Sequence, residues 1–178
     1  LALIAWLVCS QRFSAAELGS RTQSVPAFIG TLLLLLVAGT LIDQSAYGWI
    51  SRWPGYPALG AMPLVTSPVW RWLDLTAGLL LVGLLEELVF RAAMFSVLSR
   101  YTDNRAVIVL VSALAFGLIH WSQGLHTVVV TAAIGVLFMM VYLRTRSLPA
   151  LVLAHFVMDF LIFADLPMRH WLHFFLFS

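Results

Sequence analysis

Residues 73–98 read LDLTAGLLLVGLLEELVFRAAMFSVL. The stretch is long and apolar enough to cross a bilayer, which takes about 20 helical residues. Three charges, Glu86, Glu87 and Arg91, sit inside it. At a helix centre each charge costs roughly 2.5–3.5 kcal/mol on the insertion scale, about 8–10 for three. The fourteen Leu, Val, Phe and Met residues between Leu75 and Leu98 offset this by roughly 0.5 kcal/mol each, about 7 together. Such a helix gains almost nothing from facing lipid all round, so its polar face must look into a bundle or a wet cavity. Glu87 and Arg91 are four apart, share a face and can pair, with the glutamate in the favoured N-terminal position. Glu86 points about 100° away and lacks a partner on its own helix.

The surrounding chain agrees with a membrane setting. Hydrophobic residues make up 62% of the 178 and charged residues 10%, where a soluble domain carries about 25% charged. This excludes a disordered tail, a fibrous repeat and an ordinary soluble domain. All ten basic residues are arginine, against eight acidic ones. No basic run offers a nucleic-acid footprint, so no nucleic-acid partner is expected. Cys9 is the single cysteine, which excludes an internal disulfide and a thiolate metal cluster.

Hydropathy divides the chain into about six spans. Residues 1–9 are apolar but too short to cross, and read as the end of a truncated first helix. The second span is 26–42, opened by Pro26. Residues 43–73 form a long connection rich in Pro and Trp, expected on the membrane surface, where aromatic side chains settle at headgroup level. Asp74 is placed to cap the third span, 74–98. The fourth is 106–120, the fifth 125–143, the sixth 148–164, and an aromatic tail covers 168–178. The expected fold is all-α: a polytopic transmembrane helix bundle forming one integral membrane domain over 1–178, with its motif-bearing core in 75–163. Six arginines fall in the connections of one side and three in those of the other, which predicts a multi-pass protein of the cytoplasmic membrane with the six-arginine side inside.

Further ionisable residues lie at membrane depth. His120 ends the fourth span in FGLIH, where Phe116 shares its face. His155 and Asp159 lie four apart in the sixth, in HFVMD. A single intramembrane histidine reads as a helix–helix hydrogen bond, and Glu87–Arg91 alone as a structural ion pair. Two histidines and three carboxylates on three helices make a functional cluster. They supply the parts of a hydrolytic site: a base for water, and donors for an oxyanion.

The ordered motifs Glu-Glu-x-x-x-Arg (Glu86, Glu87, Arg91), Phe-x-x-x-His (Phe116, His120) and His-x-x-x-Asp (His155, Asp159) resemble those of the CPBP family. That family groups CAAX prenyl endopeptidases with bacteriocin-processing and self-immunity (Abi) proteins. The resemblance implies a multi-helix intramembrane endopeptidase that needs no cofactor. Glu86 matches the glutamate that activates water, and His120 the histidine that orients it. His155 and Asp159 match the pair that stabilises the oxyanion, while Glu87, Arg91 and Phe116 match supporting positions. The implied partners are the lipid bilayer and a peptide or membrane-protein tail as substrate. Where the family carries Asn in the last motif, an ionised Asp159 would repel an oxyanion. Asp159 is therefore expected either to be neutral or to orient His155 through a carboxylate–imidazole hydrogen bond.

Three rival readings use the same residues. Glu86, His120, His155 and Asp159 can be read as zinc ligands, although no HExxH is present. A proton-coupled transporter would also need a buried relay, but repeated halves and paired broken helices are missing from the sequence. A non-catalytic immunity or scaffold protein would hold a partner helix in the same cavity. Depth adds a geometric condition: Glu86 lies near mid-membrane, whereas His120 ends its span. For the two to meet, the fourth helix must continue past Trp121, or the site must lie toward the three-arginine side. Cys9, His126, His170 and His173 read as interfacial or solvated.

Overall fold

The computed structural model describes residues 23–50 and 65–164, with the side chains of 47–50 excepted. The expected first helix at 1–9, residues 51–64 of the aromatic connection and the tail at 168–178 lie outside the described residues. Among the described residues the structure is helical, with no strand. Helix α1 is Val25–Ile50. Helix α2 is a continuous rod over 68–98, built from Pro68–Leu73, a π-helical turn Asp74–Gly78, Leu79–Glu87, a second π-helical turn Leu88–Ala93, and Met94–Leu98. Helix α3 is Arg105–Leu118, and a 3-10 turn Trp121–Gln123 leads into α4, Leu125–Thr145. Helix α5 is Leu148–Phe163.

Local chemistry sets most of these boundaries. The Asn104 side chain accepts a 3.0 Å hydrogen bond from the Ala106 N–H and so starts α3. Gly124 adopts φ 102°, ψ 159°, a conformation reserved for glycine, and turns the chain into α4. Arg146, left-handed at φ 53°, ends α4; its guanidinium carbon lies 3.5 Å from the Phe95 ring centroid.

Two expected boundaries are corrected. Helix α1 does not stop at Ile42 but runs on to Ile50. Asp43, Gln44 and Ser45 are polar without breaking a helix, and the Ser45 hydroxyl donates back to the Ile42 carbonyl at 3.2 Å. Likewise α2 starts at Pro68, which fits the first helical turn, so Asp74 lies inside the rod with helical φ −65° and caps nothing.

Two helices among the described residues, Val25–Ala46 and Leu125–Thr145, are long and apolar enough to cross a membrane. Helices α3 and α5 are apolar but shorter, with 14 and 16 residues. At 1.5 Å per residue they reach about 21 and 24 Å, less than the ~30 Å of hydrocarbon in a bilayer. Large apolar side chains stand exposed along α1 (Ile29, Leu33, Leu34, Val37) and α3 (Leu110, Val111, Leu114, Leu118), as expected of helices in contact with lipid.

Inside, α1 packs on α4 and α5, and α3 lies along α4. The α3–α4 approach is very close at Gly117: a Cβ there would stand 2.6 Å from the Val128 carbonyl oxygen and 2.8 Å from the Ala132 Cβ. Rod α2 is shared among three neighbours, with its second π-turn also touching α4. Its Leu79–Glu87 portion packs on α5, whereas the second π-turn and Met94–Leu98 pack on α3. Leu35, Ile108, Phe138, Met139, Tyr142 and Leu151 are fully buried, and so are Glu87, Arg91 and Ser112. The bundle thus has a polar centre.

Candidate active site

The second π-turn begins directly after Glu87 and contains Arg91. A π-turn disturbs the regular backbone ladder, and the buried Ser112 hydroxyl of α3 donates to the Phe90 carbonyl within it. Glu87, with no exposed surface, divides its two oxygens. Its Oε2 lies 3.1 Å from Arg91 Nε, and its Oε1 accepts a 2.9 Å hydrogen bond from His155 Nδ1 on α5. The i,i+4 pair expected from spacing is therefore present, and it is one half of a buried Arg91–Glu87–His155 row.

The other imidazole nitrogen meets the remaining carboxylates. His155 Nε2 is 3.6 Å from Glu86 Oε2 and 3.5 Å from Asp159 Oδ2. Glu86 and Asp159 keep about a fifth of their side-chain surface open (22% and 21%), whereas Glu87 keeps none. The adjacent glutamates thus do different things: Glu87 is locked in the interior, and Glu86 borders the cavity. The orienting hydrogen bond to Nδ1, one of the roles expected for Asp159, is made by Glu87.

His120 follows the end of α3, and its Nδ1 lies 2.9 Å from the Phe116 carbonyl oxygen. A carbonyl only accepts, so Nδ1 carries a proton, and Nε2 is the nitrogen available to a ligand. The Phe116 ring stands edge-on to both imidazoles, 5.1 Å from His120 and 6.0 Å from His155. It also lies 4.6 Å from the Arg91 guanidinium carbon. Phe116 thus packs one ring against three of the residues expected to form the site.

One cavity of about 570 Å³ is bordered by all seven expected residues: Glu86, Glu87, Arg91, Phe116, His120, His155 and Asp159. Apolar walls come from Leu79, Val82, Ile134, Phe138, Met158 and Ile162, and an outer polar group comprises Asp43, Arg71, Asp74, Gln123 and His126. The depth condition is met without extending α3, which ends at Leu118. Counted from the turn that joins α2 to α3, Glu86 is twelve residues back from Leu98 and His120 fifteen on from Arg105. Both therefore lie about 20 Å from that turn. The cavity sits toward the end of the bundle that carries Arg71.

Some contributors had no sequence signal. Phe138 is an apolar residue in an apolar helix, yet it packs against both Arg91 and His155. Asp43 and His126 belonged to connections and segment ends, and in fact border the cavity. Ser112 was legible in principle, because Ser112, Phe116 and His120 repeat every four residues along one face of α3. As for zinc, among the described residues no group of three or more His, Cys, Asp or Glu is arranged to hold a metal ion.

The family model for type II CAAX prenyl endopeptidase Rce1-like proteins matches residues 68–161, just over half of the chain. No curated protein and no solved structure matches. The matched range takes in α2, α3, α4 and most of α5, and with them every residue of the cluster. With the membrane-competent helices α1 and α4, the chain is a membrane protein and belongs to the Rce1-like family of type II CAAX prenyl endopeptidases.

Proposed function

We propose that the chain is a multi-pass intramembrane endopeptidase that hydrolyses a peptide bond in or near the bilayer with a water activated by Glu86. The observation that carries this reading is the way His155 is held. Glu87 fixes Nδ1 at 2.9 Å, and that turns Nε2 toward Glu86 and Asp159 at the cavity edge.

In this mechanism a water lies between the Glu86 carboxylate and His120 Nε2. Glu86 takes a proton from it as the oxygen attacks the scissile carbonyl. The carbonyl oxygen becomes an oxyanion and meets the His155 Nε2–H. Nδ1–H donates to Glu87, so a neutral ring would leave Nε2 without a proton, and it is the imidazolium that donates there. Asp159 Oδ2 adjoins the same nitrogen at 3.5 Å. Collapse of the tetrahedral intermediate breaks the C–N bond. Glu86 returns its proton to the leaving amine, giving a carboxylic acid and an amine. Arg91 balances the Glu87 charge throughout, so Glu87 does not compete for the proton in transit.

The substrate class is the tail of a membrane-associated protein or peptide. The test compares membrane peptides from cells carrying the native chain with those from cells carrying Glu86→Gln. The expected result is that one or more cleavage products vanish and their precursors accumulate, with the rate falling at least 100-fold, as removal of a general base entails. Identical peptide profiles at equal expression would refute the mechanism and favour the scaffold reading.

A further inference from the structure

Arg91 is a fully buried cation with a largely aromatic surround. Glu87 engages its Nε at 3.1 Å. Two rings lie close to the guanidinium carbon: Phe116 from α3, with its centroid at 4.6 Å, and Phe138 from α4, at 5.5 Å. Phe138 is 1% exposed. Its other site neighbour is the His155 imidazole, 6.2 Å away between centroids and inclined at 86°. One apolar side chain thus reaches both ends of the Arg91–Glu87–His155 row, from a helix that contributes no charged group to that row.

We propose that Phe138 is a positioning residue of the site: its ring holds the Arg91 cation and packs against the His155 imidazole, which keeps Glu87 bridged between them and His155 Nε2 directed at Glu86 and Asp159. Aromatic rings attract cations through their quadrupole, most strongly where water is excluded. An aliphatic side chain of similar volume fills the space without that attraction. With the guanidinium held by Phe116 and Phe138, the position of its Nε is set. The Glu87 Oε2 that faces it at 3.1 Å is then set too, and so is Oε1, which is offered to His155. The catalytic part of this role rests on the reading of Glu86 and His155 given above; the clamp itself does not.

The test replaces Phe138 with phenylalanines bearing one, two and three ring fluorines, which nearly preserve shape while weakening the ring's attraction for a cation stepwise. Two readouts are taken on the full chain in lipid nanodiscs: the NMR resonances of Arg91 Nε–H and His155 Nδ1–H, and cleavage of a substrate found by the peptide comparison. Both resonances are expected to move progressively along the series. In parallel kcat should fall by about tenfold at three fluorines while KM stays within about threefold. Phe138→Leu should lose at least as much kcat, and Phe138→Tyr should recover most of it. Resonances and kcat that stay constant along the series would overturn the proposal and leave Phe138 a space-filling residue. The two readings fail separately. Resonances that move in a protein indifferent to Glu86→Gln uphold the clamp and sink the protease mechanism; constant resonances alongside a dead Glu86→Gln variant do the reverse.

Discussion

The two ring nitrogens of His155 have different companions, and this separates the roles of three carboxylates. Because Glu87 already orients the imidazole, the proposed mechanism does not call on Asp159 as a carboxylate, and Asp159→Asn is expected to keep cleavage within about tenfold of native. A loss of 1,000-fold or more would show that the negative charge is required. Glu87→Gln removes the counter-charge of a fully buried arginine and should cost about 3 kcal/mol or more of stability. Glu86→Gln, at the cavity edge, should change the unfolding midpoint in detergent far less. The sequence made the Glu87–Arg91 pair legible, since four residues make one helical turn. It could not disclose the Glu87–His155 bond: those residues are 68 apart, and only the packing of α2 on α5 brings them together. The same limit applied to Phe138, whose importance lies wholly in what it faces.

At the scale of the element, helix identities were readable and several ends were not. Apolar runs marked α1 to α5, whereas the start of α3 at Asn104 and the turn into α4 at Gly124 emerged only from the structure. The polar trio Asp43–Ser45 looked like an ending because hydropathy drops there, yet polarity alone does not stop a helix, and α1 runs on to Ile50. No residue pattern announced the two π-turns. The α3–α4 contact supplies a sharp test. Gly117→Val puts a branched side chain where the Val128 carbonyl and Ala132 already sit, and should destabilise the protein by about 1–3 kcal/mol. Gly30→Ala, where a Cβ meets nothing within 4 Å, should be neutral or stabilising by up to about 1 kcal/mol. Thermal unfolding of both variants in one detergent makes the comparison.

At the scale of the molecule, the charge distribution predicts how the bundle sits. Arg100, Arg105 and Arg144 are exposed at the end away from the cavity, and on the arginine count that end is expected to face the cytoplasm. A cysteine placed at Tyr101, which is 82% exposed, in a Cys9→Ser background should react with a membrane-impermeant maleimide in inside-out vesicles and stay unlabelled in intact cells. The mechanism through Glu86 also predicts that cleavage survives exhaustive chelation; activity lost with metal and restored by zinc would favour the zinc-ligand reading of Glu86, His120, His155 and Asp159 instead.

The second π-turn lies where α2 passes from its seat on α5 to its seat on α3. Such a turn is equivalent to one residue inserted into an α-helix. Straightening the turn without losing a residue would swing one half of the rod by about 100° against the other, whereas deleting a single residue such as Val89 together with the turn leaves the two halves nearly in their present register. Both seats would then survive, and the arginine would come to stand three residues after Glu87 and four after Glu86. The shortest possible deletion would thus act on the arginine's choice between the two glutamates while sparing the packing of the rod, a lesion that no substitution at either position reproduces.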